Sequence, residues 1–464
     1  MANDVNVLVI GGGAAGLAAA AELEALGVSC QLVEAQSSLG GRVHTVAGPD
    51  GLLFERGAQM ANADMSAVLA LAEEAGLERV PTPAAGKALC VLNDVVVPRD
   101  RLISADELEA LIETHASGES WAANVARLMR SVVRRRSASA TTPREARPDP
   151  QSPAPDRRPQ ARSLGDAIER MRLSDEDCAV ARTMICEQYG AAPERLDAAA
   201  MAASLGAYRS DRGDLELQFP GGMGRIIDRL RSKLSNAPVL EAPVTRIAVE
   251  GAGLRVFSET GSWRVSRVIV AAPPTAARDI DLHIEGRSEL RHCLQAFEAG
   301  DMIKTTVVYD RAFWRRKGLG GAVTFARTCG LEVVDTSCAV ANDARLTAFL
   351  GGPSARDRAA MSRVDREQRL LSDLVRALGP EAADPRRIDE AVWVDDRWSG
   401  GGYNATVRAG RRSDAVARLA AFPGPVRFAC SELDDSFAGY VEGAIRRGRR
   451  VAREVAADLT KAAA

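Results

Sequence analysis

The strongest constraint on the fold of this chain is the run VLVIGGGAAGLAAA close to its N-terminus. A short apolar strand leads into Gly11, Gly13 and Gly16, which have G-x-G-x-x-G spacing, and an alanine-rich helix follows. Gly11 permits a tight turn, Gly13 lets the backbone approach a pyrophosphate, and Gly16 lets the helix pack on the strand. Glu34 ends the next strand, where a carboxylate accepts hydrogen bonds from a ribose. Residues 1–45 therefore predict a βαβ unit that binds a dinucleotide.

Charge and composition exclude several classes of protein. The 464 residues carry a formal net charge of −2, which gives no general attraction to nucleic acid or acidic lipid. We find no apolar run long enough to span a bilayer and expect neither a secretory signal nor membrane attachment. Eight scattered cysteines without a C-x-x-C pair indicate reduced thiols in a cytoplasmic protein. The four histidines lack metal-ligand spacing, so we expect no metal; they are His44, His115, His283 and His292.

Helical and strand patterns alternate along most of the chain. We predict helices over residues 62–77, from Ser104 with a capping box to Glu107, from the segment LGDAIERM, and over residues 440–459. Between residues 218 and 272 the pattern predicts a loop, a helix and three short strands. Residues 134–163 are rich in arginine, proline and serine and cannot bury enough apolar surface to order, so we predict a disordered insertion there.

A lysine lies in the middle of the predicted strand DMIKTTVVYD. Period-two alternation places Lys304 on one face with Met302 and Thr306, and Ile303 with Thr305 on the other. A lysine buried there is costly unless a neighbouring group interacts with it, whereas on a wet face it is an ordinary surface residue. The strand pattern leaves both interpretations open.

A second glycine motif distinguishes a flavin from a nicotinamide cofactor. Gly40, Gly41 and Arg42 in SSLGGRVHT look like the second signature of the flavin-containing amine oxidase superfamily. In that superfamily the glycines let the backbone pass close to FAD and the arginine approaches its phosphates. The segments FERGAQM, FPGGM and VTRI…VIVAAPP resemble later motifs of the same superfamily. The resemblance implies that the flavin is contacted by Gly57, Ala58 and Gln59, and that the backbone of Val244 meets the adenine.

Two C-terminal segments resemble the monoamine-oxidase-like branch of this superfamily. They are WVDDRWSGGGYNATVRAG and FACSELDDSFAGYVEGAIRRG. The resemblance places Tyr403 and Tyr440 on either side of the substrate, where their ring faces can guide an amine. It also places Lys304 on the strand whose lysine binds a water that bridges to flavin N5. The remaining positions that it assigns to the cofactor are Trp398, Glu432, Tyr440 and Val441, the last at a helix N-terminus beside the flavin ring.

Several residues depart from the pattern of that family. Gly402 stands where some members carry a cysteine bonded to the flavin, so we expect non-covalent FAD. Cys430 replaces a usual glycine near the cofactor, and Met60 replaces an aromatic residue. Arg56 and Arg327 are the candidates for binding a substrate carboxylate, although each fits an ion-pair or surface residue better.

These patterns predict an α/β protein with two domains. A Rossmann-like FAD-binding domain carrying the G-x-G-x-x-G motif is assembled from residues 1–86, 219–285 and 390–464. An α+β substrate-binding domain with a mixed sheet and helices takes residues 87–218 and 286–389, including the insertion. We name no substrate-selecting residue within 87–218 or 318–350.

The resemblance implies oxidation of a small-molecule amine. A hydride passes from its α-carbon to flavin N5, the imine is hydrolysed, and O2 is reduced to hydrogen peroxide. The alternatives are an amino-acid oxidase, a desaturase resembling protoporphyrinogen oxidase, and a biosynthetic amine oxidase whose imine closes a ring. A non-catalytic flavin-bound interaction protein is disfavoured, as is nucleic-acid binding by the insertion, which lacks interleaved aromatics. Whether two copies of the chain form a homodimer stays open.

Overall fold

The computed structural model describes residues 5–116, 161–208, 210, 216–326, 330–338 and 344–463. The helices are α1 Ala14–Ala25, α2 Ser66–Glu74, α3 Ala105–Ala116, α4 Leu164–Met171, α5 Asp175–Tyr189, α6 Ala198–Ala207, α7 Gly224–Arg231, α8 Pro274–Ala277, α9 Arg287–Leu294, α10 Pro353–Ala359, α11 Arg363–Leu378, α12 Ala415–Ala420 and α13 Val441–Ala463. Short 3₁₀ helices cover Arg99–Arg101, Pro193–Arg195, Phe313–Lys317, Pro380–Ala383 and Ser431–Leu433.

The strands are short, and they form several sheets. They are β1 Val7–Ile10, β2 Cys30–Val33, β3 Thr45–Ala47, β4 Leu53–Glu55, β5 Met60–Ala61, β6 Val80–Pro81, β7 Lys87–Leu92, β8 Val95–Pro98, β9 Leu217–Gln218, β10 Val244–Glu250, β11 Gly253–Ser258, β12 Ser262–Val265, β13 Arg267–Val270, β14 Asp281–His283, β15 Phe297–Ala299, β16 Met302–Tyr309, β17 Leu319–Phe325, β18 Leu331–Asp335, β19 Ala344–Gly351, β20 Arg387–Val392, β21 Ala405–Val407 and β22 Val426–Phe428.

A parallel sheet in the order β2-β1-β13-β22 carries the N-terminal glycine motif. Its strands are buried on both faces, which explains their nearly continuous apolar sequences. Val7 and Val9 of β1 pack into a core with α1 and α13, whereas Leu8 and Ile10 pack into a second core on the opposite face. The motif between β1 and α1 therefore lies at the carboxyl end of a central strand, where α/β sheets bind ligands.

Helices α1 and α13 cover one face of this sheet and pack unusually close to each other. A Cβ atom built on Gly448 of α13 would lie only 2.2 Å from the carbonyl oxygen of Ala15 in α1. A Cβ atom on Gly16 would lie 1.9 Å from the carbonyl oxygen of Gly11, so this glycine lets α1 pack tightly against the preceding turn. The alanine-rich sequence of α1 has the same cause, because large side chains would separate the two helices.

A second sheet, in the order β12-β11-β10-β14, covers the other face. We predicted three strands between residues 218 and 272, and this was wrong because the structure has four. Val265 of β12 pairs with Leu254, whereas Arg267 of β13 pairs with Val7 in the parallel sheet. One residue, Ser266, separates the two strands. The chain changes sheets there without a turn signal in the sequence, so the two strands resemble a single one.

The remaining large sheet has seven strands in the order β20-β16-β19-β18-β17-β7-β8. It is mixed, since β17 and β7 are parallel and the other neighbours are antiparallel. Helix α11 covers one face, where Leu370 and Leu374 pack against Ile303 and Val307 of β16. Helix α5 contacts β17, β18 and β19. The Lys304 side of β16 faces away from α11, toward the segment around residue 57.

The end of the predicted insertion was assigned wrongly. Residues 134–160 lie outside the described residues, but Ala161 and Ser163 are buried. Ser163 caps α4 by accepting the amide of Asp166, and Asp166 accepts the amide of Ser163 in return. The capping box orders these residues although their sequence context is rich in arginine and proline. Ser104 and Glu107 form the same motif at α3, as predicted.

The predicted division into two domains stays a prediction. Strands from residues 1–86, 219–285 and 390–464 do meet in the parallel sheet, and residues 87–98 join the seven-stranded sheet. Strand β20 extends across the predicted boundary at residue 389. Among the described helices, none is both long and apolar enough to cross a bilayer.

The contact of α13 with α1 makes Gly448 a sensitive position. We expect Gly448→Ala to lower the free energy of unfolding by about 1–3 kcal/mol, because the added methyl group meets backbone atoms rather than a flexible side chain. Thermal melting would measure this loss. Gly206 in α6 is a matched control, because its Cβ would meet no atom within 4 Å. Gly206→Ala should leave the melting temperature equal or raise it. Equal melting temperatures for Gly448→Ala and the wild type would contradict the packing argument.

Candidate active site

Two glycine segments lie side by side at the end of the parallel sheet. Gly13 forms an isolated bridge with Gly40, and the amide of Gly40 donates to the carbonyl of Gly12 at 3.0 Å. Gly11, Gly40 and Gly41 have φ values of +106°, +118° and +57°, which other residues rarely adopt. A Cβ on Gly41 would lie 3.7 Å from the Cα of Gly13. The absence of side chains at these positions leaves a backbone-lined cradle.

Glu34 lies where the sequence places it, at the end of β2. Its carboxylate is buried and accepts the amides of Gly12 at 2.5 Å and Gln36 at 2.8 Å. Its backbone amide and carbonyl bond Val239 and Ala242, and Val244 follows two residues later at the start of β10. Glu34, which we expect to bind the ribose, and Val244, which we expect to meet the adenine, therefore lie on adjacent segments.

Arg42 connects the second glycine motif to the C-terminal part of the chain. Its guanidinium donates to the buried carboxylate of Glu432 at 2.7 and 3.2 Å, to Ser431 Oγ at 3.2 Å and to the carbonyl of Tyr403 at 2.8 Å. Burial opposes ionisation of Glu432, but Arg42 and the amide of Ala405 outweigh it and lower the pKa of Glu432. The pair is therefore charged, and it joins residues that are far apart in the sequence.

The predicted flavin-contacting segment packs directly on Arg42. A Cβ on Gly57 would lie 2.0 Å from the carbonyl oxygen of Arg42, and the amide of Ala58 donates to that same oxygen at 3.0 Å. The side-chain oxygen of Gln59 is buried, and it has no hydrogen-bond partner among the residues that the structure describes. A buried polar atom without a partner is costly, and a bound polar ligand would satisfy it.

These residues fit a dinucleotide cofactor such as FAD. The two glycine segments present backbone without side chains, and Glu34 offers buried carboxylate oxygens. The side-chain oxygen of Gln59 is an acceptor that no other described residue bonds. Val441 begins α13, so the free amide groups at that N-terminus carry a partial positive charge; that they lie beside the flavin ring stays a prediction.

Lys304 is buried, so it is not the ordinary surface lysine that its strand pattern left open. All eight residues of β16 are buried, and the Lys304 side chain is only 2% exposed. Its Nζ donates to the carbonyl of Gly57 at 2.8 Å and lies 5.5 Å from the centre of the Phe349 ring. Burial lowers the pKa of Lys304 to about 7, although the carboxylates of Glu55 and Asp389 act in the opposite direction. Near neutral pH this amine therefore exchanges between two charge states.

Tyr403 borders the same space as Lys304. Its ring packs edge-on against Phe349, with ring centres 6.1 Å apart, and Phe349 is directly opposite Lys304 in the sheet. The Tyr403 hydroxyl donates to Glu187 at 3.4 Å. Burial and the negative charge of Glu187 raise the pKa of Tyr403 well above its usual value, so the phenol stays protonated. Tyr403 and Phe349 are both half-buried.

Tyr440 belongs to a second aromatic group. It stacks on Tyr208 with ring centres 5.5 Å apart, and Tyr208 contacts Phe437 edge-on at 5.8 Å. The segments that carry the two aromatic groups are in contact. The residue before Tyr440, Gly439, lies so close to the residue after Tyr403 that a Cβ on Gly439 would be 2.6 Å from the side-chain nitrogen of Asn404. The structure thus brings the segments of Tyr403 and Tyr440 together; that the two rings flank a substrate stays a prediction.

Trp398 is half-buried beneath the guanidinium of Arg397, whose carbon lies 4.4 Å from the ring centre. The neighbouring carbonyl of Ser399 accepts the hydroxyl of Thr275 at 3.1 Å, which places this segment next to the AAPP motif.

Cys430 packs into the core between the parallel sheet and the second sheet, so its side chain points into apolar surroundings. Gly402 is buried against Trp393 and Met302.

The two arginines that are candidates for binding a substrate carboxylate have different outcomes. Arg56 donates to both oxygens of Asp389, at 3.0 and 2.7 Å, and is thus an ion-pair residue. Arg327 lies outside the described residues. In the part of the chain that the structure describes, no group of three or more His, Cys, Asp or Glu residues is arranged to hold a metal ion.

Sequence reasoning missed several residues that line the site. Phe349, Glu187 and Tyr208 come from the two stretches in which we named no residue, and Trp393 donates its indole N–H to the carbonyl of Arg56 at 2.8 Å. Alternation along TAFLGG places Phe349 on one face of a strand, but only the pairing of β19 with β16 shows that this face carries Lys304. The partners of Tyr403 and Tyr440 depend on tertiary contacts without a local pattern.

Comparisons with known proteins agree with this architecture. Residues 14–456 match the model of the family described as flavin containing amine oxidoreductase. The chain is 26% identical over 457 residues to L-amino acid dehydrogenase of Synechocystis sp., covering 97% of this chain and 94% of that protein. It is 27% identical over 492 residues to putrescine oxidase of Kocuria rosea, covering 97% and 95%. The solved structure of cyclohexylamine oxidase from Brevibacterium oxydans shares the fold, with a TM-score of 0.83 at 24% identity over 98% of this chain and 100% of that one.

The buried lysine predicts a pH-dependent stability. The pKa of Lys304 falls from 10.5 to about 7 on folding. Between these pH values the unfolded chain binds one proton more than the folded chain, so the stability of the fold rises with pH across that window. Lys304→Met removes this cost. We expect its melting temperature, relative to the wild type, to be highest at or below about pH 7 and to decline toward about pH 10. Lys461→Met, at an exposed position of α13, controls for charge. A difference that is constant with pH would contradict the argument.

Proposed function

The chain belongs to the flavin containing amine oxidoreductase family, and from this premise we propose that it oxidises a small-molecule amine to an imine. Its cofactor is FAD, as the family requires. When bound, FAD accepts a hydride from the α-carbon of the amine and passes two electrons to O2, which becomes hydrogen peroxide, while water hydrolyses the imine. The observation that carries the proposal is the buried amine of Lys304, held against the Gly57 carbonyl and beside Phe349.

The charge state of Lys304 suits an amine substrate. A permanently protonated lysine would repel a substrate ammonium in a water-poor site, whereas burial lowers the pKa of Lys304 to about 7. Its neutral form carries a lone pair that can accept a hydrogen bond from water or from the substrate. We propose that Lys304 holds a water molecule next to the reacting atoms. Loss of hydride requires no side-chain base, which agrees with a site without an obvious histidine.

Aromatic side chains supply orientation. The half-buried rings of Tyr403 and Phe349 pack edge-on, and an aromatic ring face can attract the nitrogen of an amine and exclude water from it. We place Tyr440 and its neighbour Tyr208 on the other side of the substrate. Gly402 has no side chain to bond to the cofactor, and we propose that FAD is held only by non-covalent contacts.

An amino acid is the second candidate substrate, because one relative is named L-amino acid dehydrogenase. Such a substrate needs a cation for its carboxylate. Arg56 does not provide one, since both of its bonds go to Asp389. Arg327, the other candidate, lies outside the described residues, so the comparison favours the amine only against a carboxylate bound by Arg56.

An anaerobic titration of the purified yellow protein tests the proposed function. We expect at least one primary amine, secondary amine or polyamine to bleach the oxidised-flavin absorption band, and air to restore it with formation of hydrogen peroxide. L-amino acids are included in the same panel. Bleaching by amino acids alone would replace the amine by the second candidate. A band that no member of the panel changes would contradict both.

The aromatic residues give a separate test. Tyr403→Ala should slow flavin reduction by the best amine, or raise its KM, by about tenfold, because the ring contact with Phe349 is lost. Tyr403→Phe keeps the ring and should stay close to the wild type. Tyr440→Ala should have an effect of the same sign. Tyr309→Phe, in the core on the opposite face of β16, is the control for loss of a tyrosine hydroxyl. Wild-type reduction kinetics in both alanine variants would exclude the aromatic pair.

A further inference from the structure

One row of side chains crosses the seven-stranded sheet on the face that carries Lys304. Lys304 of β16 is directly opposite Phe349 of β19. Phe349 is in turn opposite Glu332 of β18, and Glu332 is opposite Thr324 of β17. Residues directly opposite each other in antiparallel strands project from the same face, with their side chains in contact range. A carboxylate that the proposed chemistry does not use therefore lies one strand beyond the ring beside Lys304.

The contacts of Glu332 confirm that its side chain is on this face. Thr324 Oγ1 donates to Glu332 Oε1 at 3.2 Å. The residues on either side of Glu332 in β18 pack into the core under α11 on the opposite face. Phe349, the other neighbour, packs edge-on against Tyr403 with ring centres 6.1 Å apart. Glu332 thus borders the aromatic residues to which we assign the substrate.

The charge of Glu332 has no close counterion in the part of the chain that the structure describes. No lysine or arginine there forms an ion pair with it. Arg99 attracts it from a greater distance, and the Arg99 guanidinium itself donates to the sulfur of Met184 at 3.1 Å. Burial raises the pKa of Glu332, yet its side chain stays partly accessible. A carboxylate that is desolvated and still accessible would be stabilised by a cationic ligand.

The row also limits the size of such a ligand. Neighbouring strands are about 4.8 Å apart, so two strand spacings separate the backbone of Lys304 from that of Glu332 by about 10 Å. We assign the reacting end of the amine to the Lys304 end of the row. A chain of several methylene groups would then carry a second cation to Glu332. A monoamine, or a diamine with a very short chain, would leave the carboxylate without a cation.

We infer that Glu332 is a specificity-determining residue, which selects amines that carry a second cation at their far end, the class of α,ω-diamines and polyamines. The inference rests on the proposed function, from which it takes the place of the reacting amine. The Glu332 carboxylate accepts hydrogen bonds from the distal ammonium, Thr324 holds the carboxylate in place, and the ring of Phe349 covers the methylene chain. A ligand with a carboxylate at its far end is repelled by the like charge.

The test compares a series of α,ω-diamines with primary monoamines of the same carbon number, by rapid-mixing measurement of anaerobic flavin reduction. We expect diamines of intermediate length to have dissociation constants about 10- to 100-fold lower than those of the matched monoamines, because only the diamine bonds the buried carboxylate. Glu332→Gln should remove this advantage. Its limiting rate of flavin reduction and its affinity for monoamines should stay close to the wild type. Thr324→Val should weaken diamine binding in the same direction, but less.

The conservative variant Glu332→Asp separates recognition from a structural role. It keeps the charge but shortens the side chain by one methylene group, so the preferred diamine should become longer. Loss of a merely structural contact would lower the affinity for all amines without changing the preferred chain length. If Glu332→Gln does not fold, Glu332→Asp and Thr324→Val still decide the question. An unchanged preference in both would overturn the inference.

Asp335→Asn is the matched control. Asp335 lies on the same strand, but its carboxylate is on the opposite face, where it accepts the indole N–H of Trp314 at 2.8 Å and the guanidinium of Arg315 at 2.9 and 2.8 Å. This variant should lower the melting temperature and leave the ratio of diamine to monoamine affinity unchanged. An equal change of that ratio in Asp335→Asn and Glu332→Gln would contradict the assignment of Glu332.

The inference and the proposed function fail separately. If no amine reduces the flavin, the proposed function fails and the inference falls with it. If monoamines bind and reduce the flavin as well as the matched diamines, amine oxidation stands and the role of Glu332 is wrong. The same holds if amines with a carboxylate at the far end are better substrates than the diamines.

Discussion

The site depends on one buried ion pair, between Arg42 and Glu432. The Glu432 carboxylate is taken out of water and the Arg42 guanidinium is partly so, which is tolerable only because additional groups complete their hydrogen bonds. Those groups are Ser431, the carbonyl of Tyr403 and the amide of Ala405. The pair therefore fixes the second glycine motif, the tyrosine segment and the C-terminal segment relative to one another. The Gly57 carbonyl and, through it, Lys304 take their places from the same arrangement, since Gly57 packs on the backbone of Arg42.

Sequence patterns predicted those parts of the molecule that local chemistry determines. The spacing of Gly11, Gly13 and Gly16 indicated the strand, turn and helix, and alternation showed which face of β16 carries Lys304. Ser266 was not recognisable as the point where the chain changes sheets, because strand propensity continues on both sides. Phe349 could not be assigned for a different reason: its role depends on the pairing of two strands that are far apart in sequence.

Lys304 shows how a lysine that is costly to bury is accommodated. The two faces of β16 differ, with an apolar core under α11 on one and the segment around Gly57 on the other. On the second face, the Nζ of Lys304 donates to the carbonyl of Gly57 at 2.8 Å. The energetic cost of burying the amine is thus reduced at the position where the proposed chemistry needs an amine that can lose its proton.

The assembly of the parallel sheet has a consequence for biosynthesis. Strands β1 and β2 leave the ribosome long before β22 and α13, which follow them far along the chain. Until they arrive, α1 lacks the helix that packs on it, and Arg42 lacks Glu432. Such long-range pairings form slowly, and the unfinished surfaces are prone to association. The region around Arg42 is therefore complete only when the C-terminal strand and helix are available.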